Sequence, residues 1–295
     1  MVGEFWTVSI VKGIGAVLEV VLQIVVARQL GAEAYGQLAY IISAGALAYY
    51  ICFGGVPKVL VRYTSIGLDY RAFWKRYIAK YVLPVTLGLV LLSYSFLGMQ
   101  VVTVALWALG LLFFMASNSI LYGYDQATLA AFLEYGLFRA LVLAFIGGMI
   151  FLGSDIGAWH AVGAYLVSYG IVIVVQYHAV RKLTRDSVGE LGNVSRELAV
   201  FQGIEVTANA VHVLPRLLQY ALVGPVSNAH LSVALHVRNA VMFVAGPTAK
   251  VFFRRFVRSK ALREEMRKAY TDASRWQAYI DRKSTRLNSS HLGIS

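Results

Sequence analysis

The chain has 295 residues, of which 58% are hydrophobic and 14% charged, and its 27 Lys and Arg against 15 Asp and Glu give a net charge of +12. Soluble domains carry about a quarter of their residues as charged side chains, so this composition excludes an ordinary water-soluble globular protein. The basic residues fall in alternate gaps between apolar stretches, which sets membrane topology and attracts anionic lipid rather than nucleic acid.

Eight apolar stretches follow one another, each close to the ~20 residues that cross a ~30 Å hydrocarbon core. They predict an all-α, polytopic membrane helix bundle of about eight spans: Trp6–Ala27, Tyr35–Val56, Tyr77–Gly98, Val101–Tyr122, Tyr135–Gly153, Ala158–Val180, Leu198–Val223 and Ala229–Phe253. The start has neither a basic leader nor a small-residue cleavage site, so the first span is expected to be its own uncleaved targeting signal. The single cysteine, Cys52, falls within the second span and gives no disulfide framework.

In the first span Ser9, Lys12, Glu19 and Gln23 share one helix face. Charges at the bilayer centre cost about 2.5–3.5 kcal/mol on insertion scales, so they face a wet cavity or a partner. Glu19 is deep enough to require one. Lys12, nearer the start, either faces the cavity or snorkels to the interface. The link to the second span reads Ala27-Arg28-Gln29-Leu30-Gly31-Ala32-Glu33-Ala34-Tyr35-Gly36. It predicts a tight turn, with Gly31 at positive φ and Arg28 complementing the negative helix end. Trp6, Tyr35 and Tyr77, at span ends, are expected to anchor the interfaces.

The gap after Pro57 holds Lys58, Arg62, Arg71, Lys75 and Arg76, and the gap from Arg181 to Glu197 holds Arg181, Lys182, Arg185 and Arg196. A third basic stretch runs from Arg254 to Arg275, whereas the opposite set of gaps contains only Arg28. Lys and Arg resist translocation, so these basic gaps and the amino terminus are expected on the cytoplasmic side of the inner (cytoplasmic) membrane. Arg139 then lies near the cytoplasmic end of the fifth span, equally placed as a snorkelling anchor or a cavity cation. In the seventh span Glu205, Asn209, His212, Arg216 and Gln219 follow at helical spacing on one face. Asn228, Ser232, His236 and Asn239 do the same in the eighth, with Arg238 about a hundred degrees away as a further candidate for anion contact.

Asp281–His291 reads as the in-frame translation of a sequencing-library adapter, so residues 281–295 are set aside and the natural chain is expected to continue beyond Ile280. The remainder divides into an N-terminal six-helix lobe (1–180), a cytoplasmic inter-lobe loop (181–197), two helices of a second lobe (198–253) and a basic cytoplasmic helix (254–280). This division rests on an internal echo. Leu22-Gln23 recurs as Leu218-Gln219, Ala39 as Ala234, and Lys58–Arg62 as Lys250–Arg254, at separations of 192 to 196 residues. Duplicated halves with a substrate site between them are a transporter architecture.

Several motifs resemble the polysaccharide flippase branch of the multidrug/oligosaccharidyl-lipid/polysaccharide exporter superfamily. Its Ala-Arg-x-Leu-Gly-x-x-x-Tyr-Gly turn is matched at Ala27, Arg28, Leu30, Gly31, Tyr35 and Gly36. Its Gly-apolar-Pro segment with a following basic-aromatic pair is matched at Gly55, Val56, Pro57, Arg62 and Tyr63, and its Gly, Glu and Arg spacing at Gly123, Glu134 and Arg139. The Gly-x-Tyr that usually opens helix eight is replaced by Ala229-His230-Leu231. The resemblance implies export of undecaprenyl-pyrophosphate-linked oligosaccharide by alternating access, with membrane lipids and polysaccharide polymerase machinery as partners and no nucleic acid.

In that scheme Arg216, Arg238, Lys12 and Arg139 are candidate cations for the pyrophosphate. Glu19, Gln23, Glu205, Asn209, His212 and Gln219 are candidate cavity or ion-coupling groups. An ion-coupled multidrug antiporter of the same superfamily is the first competing reading. A membrane glycosyltransferase or polymerase is a weaker one, because the outside gaps are short and hold only Glu33 and Asp155 as acids. The sequence points to no cofactor, metal cluster or nucleophile–base pair, and the chain is expected not to be an enzyme.

Overall fold

The computed structural model describes residues 2–66, 70–77, 99–183 and 194–242. The third predicted span beyond Tyr77, much of the inter-lobe loop, the end of the eighth span, the basic helix and the adapter-like tail lie outside the described residues. Helix α1 covers Val2–Phe53, but Gly31 breaks it with φ 71° and ψ 171°, a conformation that L side chains rarely adopt. Tyr35 Oη donates to Gln23 Oε1 at 2.7 Å. Twelve residues of straight helix would separate the two by about 18 Å, so α1 is two arms folded back on each other at Gly31.

The remaining elements are α2 (Val56–Ser65), α3 (Tyr70–Tyr77), α4 (Met99–Gly123), α5 (Ala127–Ala131), a π-helical turn (Phe132–Leu137), α6 (Phe138–Phe151), α7 (Ala158–Lys182), α8 (Val194–Val223) and α9 (Pro225–Met242). The described residues are all-helical, and four helices are long and apolar enough to cross a membrane: Trp6–Phe53, Val102–Gly123, Ala127–Phe151 and Ala158–Lys182. Four is fewer than the eight spans expected. The first helix has 48 residues, enough for two crossings once broken at Gly31. Helices α8 and α9 form, but Glu197, Glu205, Arg216 and Arg238 make them more polar than those four.

Two expected loops are helical instead. The basic gap after Val56 contains α2 and α3, because Pro57 suits a first helical turn and Val56, Val59, Leu60 and Tyr63 form a buried stripe against α4. The fifth span starts at Ala127 rather than Tyr135, since Asp125, at φ 69°, lets the chain turn from α4 within the three residues Tyr124, Asp125 and Gln126. Glu134, expected in that loop, is 6% exposed and accepts a hydrogen bond from Asn118 Nδ2 at 2.5 Å.

An aromatic core joins α4, α6 and α7. Tyr169 stacks on Phe138 with centroids 4.4 Å apart and meets Phe114 edge-on at 5.2 Å, while Trp107 lies 5.5 Å from Tyr165. The hairpin of α8 and α9 packs on the α1 hairpin. At the turn end Tyr40 stacks on Tyr220 at 4.3 Å, and Asn228 Nδ2 donates to the Gly36 carbonyl at 3.0 Å. Gly36 is required there, because a Cβ would run into the Pro225 carbonyl. Outward faces keep large apolar side chains exposed, such as Val17, Val211 and Phe151, as a lipid-facing surface does.

Replacing Gly36 should therefore separate the hairpins. Gly36→Val is expected to cost about 1–3 kcal/mol as an overpacked contact, read by denaturant unfolding in detergent. Gly13→Ala, where a Cβ meets nothing within 4 Å, should be neutral or slightly stabilising. Equal effects at the two positions would contradict the packing.

Candidate functional site

The two hairpins enclose a line of charged and polar side chains. Glu19 lies in the middle of the first arm of α1, about 18 Å by helical rise from both Trp6 and Gly31. Arg139 is equally central in Ala127–Phe151. Arg139 Nε donates to Glu19 Oε2 at 2.7 Å, so an ion pair forms at the centre of two apolar helices. Glu19 Oε1 accepts from Gln23 Nε2 at 2.8 Å and lies 3.6 Å from His236 Nδ1 on α9. Gln23 in turn contacts Tyr165 Oη at 3.3 Å and accepts from Tyr35, which extends the network to α7 and to the second arm of α1.

The π-helical turn positions Arg139. Arg139 Nη1 donates to the Glu134 carbonyl at 2.8 Å, and its guanidinium lies 5.2 Å from the centre of the Tyr135 ring. Lys12 is buried, with its ammonium 4.7 Å from the same ring rather than extended toward a helix end. Tyr135 therefore receives two cations on its negative π surface. Such turns recur where a helix must re-aim side chains at a functional site.

The polar face of α8 looks toward α1, α2 and α9 at successive levels. Glu205 pairs with Lys58 of α2 at 2.5 Å, and Asn209 Nδ2 donates to Glu205 Oε2 at 2.9 Å. Arg238 Nη2 of α9 lies 3.3 Å from His212 Nδ1. A guanidinium only donates, so His212 Nδ1 accepts. Arg216 lies within electrostatic reach of Tyr35, Glu19 and Arg238. Its Nε is buried without a hydrogen-bond partner, and no carboxylate comes within 4.0 Å of it among the described residues. Pro215 precedes it in the helix and cannot donate to the carbonyl four residues back, which loosens the backbone there. Gln219 donates to the Ser227 hydroxyl, tying α8 to the start of α9.

At the end remote from the hairpin turns, α8 holds the joint between α1 and α2. Gln202 Oε1 accepts from Gly55 N at 2.8 Å, and its Nε2 donates to the Ile51 carbonyl at 2.6 Å and to that of Tyr50. Arg62 pairs with Glu197 at 2.9 Å. Burial and the Glu197 carboxylate raise the Tyr63 phenol pKa above its ordinary value. A cavity of about 380 Å³ adjoins this joint, with Tyr49, Tyr50, Pro57, Tyr122 and the Lys58–Glu205 pair in its wall.

The structure thus brings together Glu19, Gln23, Arg139 and His236, with Arg216 close by, and places Glu205 and Asn209 in a separate cluster with Lys58. Arg28 and Gly31 are exposed at the hairpin turn, away from both. The side chain of Asn239 lies outside the described residues. Gln202, Tyr135, Asn118 and Tyr165 escaped sequence reasoning. Gln202 carried one signal, its position three residues before Glu205 on the polar side of α8. The described residues contain no group of three or more His, Cys, Asp or Glu fit to hold a metal. The chain matches no known family profile, no curated protein and no solved structure.

Removing the Glu19 charge should leave the Arg139 guanidinium uncompensated. Glu19→Gln is expected to destabilise the protein by about 3–5 kcal/mol, whereas Glu19→Leu combined with Arg139→Leu should recover most of that loss. Unfolding in detergent measures both, and equal losses would show that the pair is not an isolated buried interaction.

Proposed function

We propose that this protein is a membrane transporter for an anionic, lipid-linked substrate, and specifically that it flips undecaprenyl-pyrophosphate-linked oligosaccharide across the cytoplasmic membrane. The observation that carries the reading is the charge balance of the central network. Arg139 and Arg216 lie around one carboxylate, Glu19, with Arg238 farther out beside His212, and Arg216 keeps a buried Nε–H without an acceptor. Excess positive charge in a low-dielectric interior is costly unless an anion enters. Guanidinium groups match phosphate oxygens with paired hydrogen bonds, so a pyrophosphate is the anion best suited to them.

In this reading the chain crosses the membrane eight times from a cytoplasmic amino terminus. The α1 and α8–α9 hairpins are the facing surfaces of two lobes that rock about the arginine cluster. Membrane lipids surround the outer faces, and polysaccharide polymerase machinery receives the product. The multidrug-antiporter alternative calls for a carboxylate available to a cationic drug. Glu19 and Glu205 both hold protein cations, which favours the anionic substrate.

Reconstituted vesicles carrying a fluorescent undecaprenyl-pyrophosphate oligosaccharide test the proposal. Arg216→Ala is expected to slow flipping by about ten- to a hundredfold, the loss of one charged hydrogen-bonding group. Arg216→Lys should be intermediate, since an ammonium keeps the charge but not the paired geometry. An unchanged rate in Arg216→Ala would remove the arginine from the substrate path.

A further inference from the structure

The cavity beside the α1–α2 joint has a chemistry different from the arginine cluster. Its volume of about 380 Å³ is of the size that accepts small organic ligands. Tyr49, Tyr50 and Tyr122 supply aromatic surface, and Ser119 adds a hydroxyl-bearing side chain. Lys58 and Glu205 line it as an ion pair at 2.5 Å, so the charged part of the wall is balanced. The arginine cluster selects for an anion, whereas this cavity offers a mostly apolar, aromatic wall with a few polar groups and no net charge. Glu205 and Arg216 are eleven residues apart on one face of α8, about 16 Å by helical rise. A single elongated ligand can therefore place a charged group at Arg216 and a neutral, hydroxyl-rich group in the cavity.

We infer that this cavity is a saccharide subsite, taking a short neutral sugar whose ring C–H faces lie on the tyrosines and whose hydroxyls bond Ser119, Lys58 and Glu205. The assignment rests on the anionic-substrate reading above and specifies the other end of that substrate. A cationic aromatic compound is disfavoured because it would have to take Glu205 from Lys58. A purely apolar chain would leave the ion pair and hydroxyls without new partners.

The full chain in lipid nanodiscs prepared without maltoside detergents tests the site, with chitobiose, tetraphenylphosphonium and inorganic pyrophosphate as separate probes. Chitobiose should bind and show saturation transfer from tyrosine ring protons. Tyr50→Leu should weaken it about tenfold, the loss of one aromatic face. The paired change Lys58→Gln with Glu205→Gln, which removes both charges without stranding either, should weaken it too. Pyrophosphate affinity should remain as in the wild type in these variants and fall in Arg216→Ala, so failure of the anion reading is distinguishable from failure of the sugar site. Saturation transfer in the unmutated protein keeps the test valid if a variant unfolds. No chitobiose binding, binding unaffected by both cavity variants, or preferential binding of tetraphenylphosphonium would overturn the assignment.

Discussion

An ion pair in the middle of apolar helices is the constraint around which the described structure is arranged. Glu19 and Arg139 come from helices that each provide about 18 Å of chain on either side of the charge, the depth at which hydrocarbon tolerates such groups least. They persist because every neighbour contributes a contact. Gln23 donates to the carboxylate, the π-helical turn offers a carbonyl and a tyrosine face to the guanidinium, and His236 reaches in from α9. The pair also links segments distant in sequence. The first arm of α1 is fixed to α6 by the charges, to α7 through Gln23 and Tyr165, and to α9 through His236.

From that centre the two hairpins are joined at both ends by different means. At the turn end the contacts are a tyrosine stack, the close Gly36–Pro225 approach and one asparagine amide. At the far end ionic and polar contacts join a close approach of Gly55 to the α8 backbone at Leu198 and Gln202: Lys58–Glu205, Arg62–Glu197 and the Gln202 side chain across the broken end of α1. Polar contacts of this kind exchange readily with water, whereas buried close packing does not.

Much of this arrangement was legible in the sequence because it follows from periodicity. Gly31 sits between two apolar runs and takes the positive φ a turn demands. The residues from Glu205 to Gln219 recur at helical spacing, and the structure lays them along one side of α8. Glu19 was marked by its depth and by the helix face it shares with Ser9, Lys12 and Gln23. Its partner was not legible: Glu19 and Arg139 are 120 residues apart, and their meeting depends on how α1 packs against the π-helical turn. The same holds for Lys12, whose position in its span is compatible with snorkelling until the Tyr135 ring is known to lie beside it. Pattern also failed where charge and burial disagree. Arg62 and Lys58 made the segment after Val56 look like a loop, although its alternate face is buried. Glu134 was legible only as part of a motif; that Asn118 satisfies its carboxylate was not.

The central claim is that the polar side of α8 borders a watery, anion-attracting chamber while its opposite side borders lipid. Single cysteines in a Cys52→Ser background measure this directly. His212→Cys is expected to react with a membrane-impermeant anionic thiosulfonate faster than with its cationic counterpart, and pyrophosphate should protect it. Val211→Cys, one residue away but turned by about a hundred degrees, should react only with a lipid-soluble maleimide. If both positions respond alike to all three reagents, no such chamber exists and the charged network is only structural.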